Sequence, residues 1–345
     1  MVKLVDIARA AGVSRSTASN VFSSPEKVRP SVRERVQRVA TEMGYLGPDP
    51  KGRLLRAGKV NAIGFVPTGG WGVADTLRNP SVNLVLEGIG EACDAGGASL
   101  VIMSDAGRPG SGVRTAVVDG FILSRIEHLS VIEDARLRRL PFVVVDADAG
   151  PEISSVRADA RAGCRDAARH LVALGHRRFA ILSFRRGFEP AVFHPPARNR
   201  APEIAGMLLD QEKMRGYADG LAEAGIAIDD VPVVQAQPWD GEAAALLLDR
   251  APEATAVLSM MDMQAIAVMD EARRRGRAVP RDLSVIGYND IPEAATAHPP
   301  LTTVSGMQGE RGGAAPRLLF AGGAPRQELL PAELVIRAST GAPSG

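Results

Sequence analysis

From Val60 onward, short apolar runs alternate with longer segments of helical periodicity, and this alternation limits the chain to α/β architecture with parallel sheets. Strands are expected at 62–66, 99–103, 120–123, 142–145, 179–182, 231–235, 256–259 and 284–288. Helical patterns fill the intervals at 82–95, 126–140, 161–174, 211–224, 241–250 and 263–275. So many β–α units exceed one compact Rossmann unit and suit two similar doubly wound lobes. Open parallel sheets bind ligands at the carboxyl ends of their strands, so the crevice between two such lobes is the natural site.

The head of the chain has a different texture. In KLVDIARAAGVSRSTASNVF, Leu4, Ile7, Ala8 and Ala11 give one helix an apolar face, and Gly12 breaks the run with a residue that enters a left-handed turn freely. Ser14 can cap a second helix, with Ala18, Val21 and Phe22 inward. That leaves Arg15, Ser16, Thr17, Ser19 and Asn20 outward, the hydrogen-bonding set that a recognition helix presents to a major groove. A solvated helical hairpin is the alternative. The segment 31–43 supplies a third amphipathic helix to close the core, started by Pro30 and ended by Gly44.

Charge follows the same division. Residues 1–58 hold 11 Lys and Arg against 5 acids, while the remainder holds 30 against 35, so a net charge of +1 conceals a basic head on a mildly acidic body. Such a head favours a polyanionic partner. There is no signal-peptide-like run and no apolar stretch of about 18 residues, which predicts a cytoplasmic, nucleoid-associated protein without membrane contact. Cys93 and Cys164 are far apart in helical patterns and read as small core residues. His128, His170, His176, His194 and His298 show no metal-ligand spacing.

Between head and body, residues 45–59 form a Pro/Gly-rich linker containing Arg53, Leu54, Leu55 and Arg56. Two readings stay open: a short helix whose cations meet phosphates while a leucine wedges between base steps in the minor groove, or an apolar patch on the next domain.

The head segments KLVDIARAAGVSRSTASNVF and SVRERVQRVATEMGY, then GRLLRAGKVNAIGFV, HLVALGHRRFAIL, MRGYADGLAEAGI, VPRDLSVIGYNDIPEA, PPLTTV and LPAELVIRASTG resemble, in order and spacing, the LacI/GalR (lactose-repressor) family of bacterial transcriptional regulators, from about Lys3 to Gly341. The resemblance implies a helix-turn-helix DNA-binding domain over 1–46, a hinge segment over 47–59 and an effector-binding and dimerisation domain over 60–345. The last would be periplasmic-binding-protein-like, with an N-lobe of about 60–157 and 291–320 and a C-lobe of about 158–290 and 321–345. It implies a homodimer on double-stranded operator DNA, controlled by a small-molecule effector such as a sugar, with no cofactor and no catalytic residue. By position, Arg15, Ser16 and Asn20 would contact bases; Lys3, Thr17, Ser19 and Tyr45 would contact the DNA backbone, beside Ser14; Leu55 would be the minor-groove wedge, with Arg53 near phosphates. Effector contacts would fall on Asn79, Ser81, Ser124, Asp148, Lys213, Trp239, Met261 and Asn289. His176 matches a structural turn, and no leucine-heptad tail follows Gly341, which favours a dimer.

The chain departs from the family pattern in places. Gly52 stands at a hinge position that is usually alanine, Lys213 replaces a planar arginine fork with a point charge, and Met261 and Asn289 replace polar or acidic sugar-binding positions. A cleft with fewer charged groups than a simple sugar site is therefore expected. The segment 184–202 reads as an irregular loop, either a lid over the cleft or a surface insertion. An α/β enzyme is a rival, but Gly88-Ile89-Gly90 lies in a helical run and no phosphate-loop or nucleophile-elbow motif appears. An exported solute-binding protein would share the body, yet this chain carries a DNA-binding pattern where a signal peptide would stand.

Overall fold

The computed structural model describes residues 2–45, 47, 59–67, 71–106, 110–125, 129–184, 190–197 and 208–344. It divides into two compact units, Met1–Val60 and Asn61–Gly345.

In the first unit, α1 (Leu4–Ala10), α2 (Arg15–Ser23) and α3 (Pro30–Glu42) close on a core of Ile7, Ala8, Ala11, Ala18, Val21, Val36 and Ala40. The turn residue Gly12 has φ +62°, and Gly44 ends α3 at φ +69°. Small alanines at four of the contact positions let the helices approach closely, while Val13, Phe22, Val39 and Tyr45 seal the edges.

In the second unit, one sheet orders its strands β2 (Ser99–Ile102), β1 (Ala62–Pro67), β3 (Gly120–Ser124), β4 (Phe142–Val145), β5 (Ser155–Ala158) and β12 (Gln327–Leu330), from one edge to the other. Its pairs are parallel. The other sheet runs β13 (Glu333–Val335), β11 (Thr302–Ser305), β10 (Ser284–Tyr288), β9 (Ala256–Ser259), β6 (Phe179–Phe184), β8 (Val233–Ala236) and β7 (Val192–His194). It is parallel except at its two edges, where β13 and β7 pair antiparallel. The central strands are buried on both faces, as helices on either side of a parallel sheet require.

The chain passes between the sheets three times: after β5, between β11 and the helix Gln308–Ala321, and between β12 and β13. This corrects the lobe boundaries expected from sequence. Residues 291–305 belong with the second sheet, because β11 continues it parallel to β10, and 321–330 belong with the first, because β12 pairs with β5. The segment 184–202 is not irregular throughout either, since β7 within it extends the second sheet.

The helix Gln308–Ala321 had no sequence counterpart because Gly309, Gly312, Gly313 and Pro316 hide its periodicity. Those glycines serve packing. A Cβ on Gly88 would collide with the Gly309 carbonyl, and one on Gly312 with the Val85 carbonyl, so this helix and Pro80–Gly96 meet backbone to backbone. Gly216 and Gly220, on the helix Leu208–Ala222, repeat the device against Ala160–Ala173 in the other lobe.

Candidate functional site

The first unit presents its polar face on α2. Ser14 caps the helix: its Oγ accepts from the Thr17 backbone N–H at 3.0 Å and lies 2.8 Å from the hydroxyls of both Ser16 and Thr17. Arg15 and Ser16 are exposed and Thr17, Ser19 and Asn20 half-buried, all at the start and outer side of α2. Lys3 is exposed at the start of α1, its backbone N–H donating to Asp6 at 3.0 Å. Tyr45 packs edge-on against Phe22 with ring centroids 5.6 Å apart, and burial raises its phenol pKa. Arg53 and Leu55 lie outside the described residues.

In the second unit, one cavity lies where strand ends of both sheets face each other. The first lobe contributes Ser124 and Arg125 from the end of β3, Asp146 after β4, Ser81, Val82 and Val85 from the helix Pro80–Gly96, and Gln308 and Arg311 from Gln308–Ala321. The second contributes Phe184 at the end of β6, Leu209, Asp210 and Lys213 from Leu208–Ala222, Met261 after β9 and Asn289 after β10. About 20 Å³ is open to the centre of a water-sized sphere, room for water but not for a sugar. The lobes are closed on one another.

The backbone bends sharply at this spot. Arg125, Asp146 and Asn289 have φ of 54°, 60° and 123°, left-handed values that non-glycine residues avoid. Each follows a strand directly, so the strained turn aims a polar side chain back across the strand end.

Three contacts tie the lobes across the cavity. Arg125 lies 3.9 Å from Asp210 and its guanidinium stands over the Phe184 ring at 5.2 Å, while Gln308 Nε2 donates to Asn289 Oδ1 at 3.1 Å. Asp146 and Arg311 form an ion pair within the first lobe. Burial, with the neighbouring Arg125 charge, pushes the Arg311 guanidinium below its usual pKa. Lys213 is 3% exposed; its Nζ donates to the Met260 carbonyl at 3.0 Å and sits 3.9 Å from the Tyr288 ring centroid. Burial lowers its pKa to about 8.

Of the expected effector contacts, Ser81, Ser124, Lys213, Met261 and Asn289 are brought together in this cavity. Asn79 is buried behind it, accepting from the Ser81 backbone N–H and hydroxyl at 3.0 and 2.9 Å, and so positions Ser81. Asp148 is corrected: it is displaced from the cavity, caps Gly150 and pairs with Arg157 at 3.7 Å. The carboxylate that the first lobe brings to the cavity is Asp146, the first residue after β4, where a strand-end rule would have found it. Trp239 does not line the cavity; it packs on Trp71 with centroids 5.8 Å apart, and Trp71 in turn rests on the Phe184–Met261 wall. The expectation of a charge-poor cleft is also overturned, since Arg125, Asp146, Asp210 and Arg311 join Lys213 there. Sequence patterning missed Arg311 because its helix was missed.

Elsewhere, His176 is buried between Thr255, Ser284 and the Gly341 carbonyl, and burial lowers its pKa. Cys93 and Cys164 are buried free thiols, and burial pushes Cys164 up to about 12. Among the described residues, no helix is long and apolar enough to cross a membrane and no group of three or more His, Cys, Asp or Glu could hold a metal ion.

Comparison with known proteins adds names to these two sites. Residues 3–47 match the model for bacterial regulatory proteins of the lacI family, and residues 168–340 match a periplasmic binding protein-like domain. The chain is 31% identical, over 99% of its length and 97% of the relative's, to an HTH-type transcriptional regulator of Mycobacterium tuberculosis. It is 29% identical to the HTH-type transcriptional repressor CytR of Escherichia coli, over 97% of this chain and 95% of that one. Among solved structures, a complex of the regulator CelR with cellobiose aligns with TM-score 0.68 and 27% identity, covering 98% of this chain and 100% of that one. The lac repressor dimer bound to operator and an anti-inducer shares the fold with TM-score 0.77 at 24% identity, covering 99% of each chain.

Proposed function

Because this chain belongs to the lacI family of bacterial regulatory proteins, a family of DNA-binding transcriptional regulators and not of enzymes, we propose that it is a homodimeric cytoplasmic repressor whose grip on operator DNA is set by a small molecule in the cavity between its lobes. The observation that carries this reading is the cavity itself, walled by strand ends of both sheets and spanned by Arg125–Asp210 and Gln308–Asn289, so that occupancy must change how the lobes meet. Arg15, Ser16 and Asn20 read base edges, Arg15 offering a fork to guanine and Asn20 a bidentate pair to adenine. Lys3, Thr17, Ser19 and Tyr45 hold the DNA backbone; Ser14 holds the reading helix in shape. In the hinge, Leu55 serves as the minor-groove wedge and Arg53 meets phosphates.

The repressor sense draws on CytR, and a sugar or sugar derivative as effector draws on CelR, whose structure holds cellobiose. The effector works by population shift: it binds one lobe arrangement more tightly, and that arrangement favours or disfavours simultaneous seating of two heads. A gel-shift titration against DNA upstream of its own gene tests this. Sequence-dependent binding that weakens steeply with salt is expected, since Lys and Arg displace counterions from phosphates. Binding indifferent to sequence would sink the operator role.

A further inference from the structure

Among the described residues, Lys213 is a buried cation with no carboxylate in direct contact, Asp210 and Asp262 acting on it only at longer range. Asp146 is matched by Arg311 within one lobe, and Asp210 faces Arg125 across the cleft. Lys213 meets only the Met260 carbonyl and the Tyr288 ring, and no carboxylate lies within ion-pair distance among the described residues. An ammonium carries three donors, so two N–H groups remain for a ligand. One turn earlier on the same helix, the 2%-exposed Asp210 carries two carboxylate oxygens that accept no hydrogen bond among the described residues. A carboxylate can only accept, so it calls for donors such as hydroxyls.

Resting on the reading of this cavity as the effector site, we propose that the effector is an acidic polyol, a sugar-sized molecule with several hydroxyls and one carboxylate or phosphate, whose anion lies on Lys213 and whose hydroxyls donate to Asp210. A neutral sugar would cover Lys213 and expel water without supplying the missing charge, which makes burial of the ammonium costlier. An anion removes that cost and forms a charge-assisted hydrogen bond. The i, i+3 spacing of Asp210 and Lys213 puts the two groups on one helix face, matching a ligand whose acid and hydroxyls sit a few atoms apart.

The test is calorimetry on the full chain at fixed ionic strength with two matched series: D-glucose, D-gluconate and the terminal phosphate ester of D-glucose, and the same three forms of D-ribose. In a series that binds, an acidic form is expected to bind at least about tenfold more tightly than its neutral parent, with the carboxylate and phosphate arms deciding which anion fits. Lys213→Met and Lys213→Gln should both abolish that preference, and Asp210→Asn should weaken acidic and neutral forms alike. Because an anion raises the proton affinity of Lys213, binding at pH 8, near its pKa of about 8, should take up a proton in wild type and none in Lys213→Met. Neutral sugars binding as tightly as their acids, or an acid preference that survives both Lys213 variants, would overturn the proposal and leave the cleft reading standing. Binding by no member, from a preparation that still shifts operator DNA, would overturn both.

Discussion

A lysine held below the surface by a carbonyl and an aromatic face is a cost to the free protein, and its removal should show. Lys213→Met should raise the thermal midpoint of the ligand-free protein at neutral pH. The gap between 10.5 and about 8 corresponds to on the order of 3 kcal/mol at most. The sign with pH follows from the lowered folded-state value. The penalty is complete below pH 8 and fades as pH rises from about 8 to 10.5. The advantage of the variant over wild type should therefore shrink across that window in paired melting curves, and an advantage constant with pH would mean that the fold does not lower the pKa of Lys213. On the first unit, Arg15→Ala and Asn20→Ala should each cost about 1–3 kcal/mol of operator affinity and relax preference at one base position. Competition gel shifts with single-base operator variants measure this. Uniform weakening across all variants would reassign the residue to phosphate contact.

At the scale of elements, the glycines in Pro80–Gly96 and Gln308–Ala321 make a firm demand. Gly88→Ala must push a carbonyl out of the way and should destabilise the second unit by about 1–3 kcal/mol, whereas Gly90→Ala, with open space around it, should be neutral or slightly stabilising. Chemical denaturation of the two variants separates packing from helix propensity. Ser14→Ala should cost about 1 kcal/mol of head stability through the lost cap. Much of this level was legible beforehand. The strands 142–145, 256–259 and 284–288 were placed to the residue, because short apolar runs between helical patterns leave little choice. The helix Gln308–Ala321 was not, since glycine and proline lower local propensity while tertiary contact demands them. β5, β7, β11, β12 and β13 were missed as well, being three or four residues each and defined by their neighbours in the sheets. In the cleft, Ser124 and Lys213 could be reached by position, but Arg125, Asp146 and Arg311 gather from three separate elements, and no local pattern in the chain announces that meeting.

At the scale of the body, two sheets joined by three short passages form two stiff blocks, each locked by a glycine-paired helix couple. Deformation within a block would break close packing, so ligand-driven change is concentrated at the passages and at the contacts spanning the cavity. Arg125→Gln removes a cross-lobe ion pair and a cation–ring contact, and should shift the free protein toward the open arrangement. Small-angle scattering of the ligand-free protein should then show a larger radius of gyration than wild type, and an unchanged radius would remove the clasp role from Arg125. The chain contains 2 tryptophans, and they are Trp71 after β1 and Trp239 after β8, in contact with each other from opposite lobes. Parting the lobes separates the two indoles and changes the solvent around both, with no other tryptophan to dilute the signal. The protein thus carries its own optical gauge: a single intrinsic emission spectrum reads lobe separation without any label, on free protein and operator complex alike.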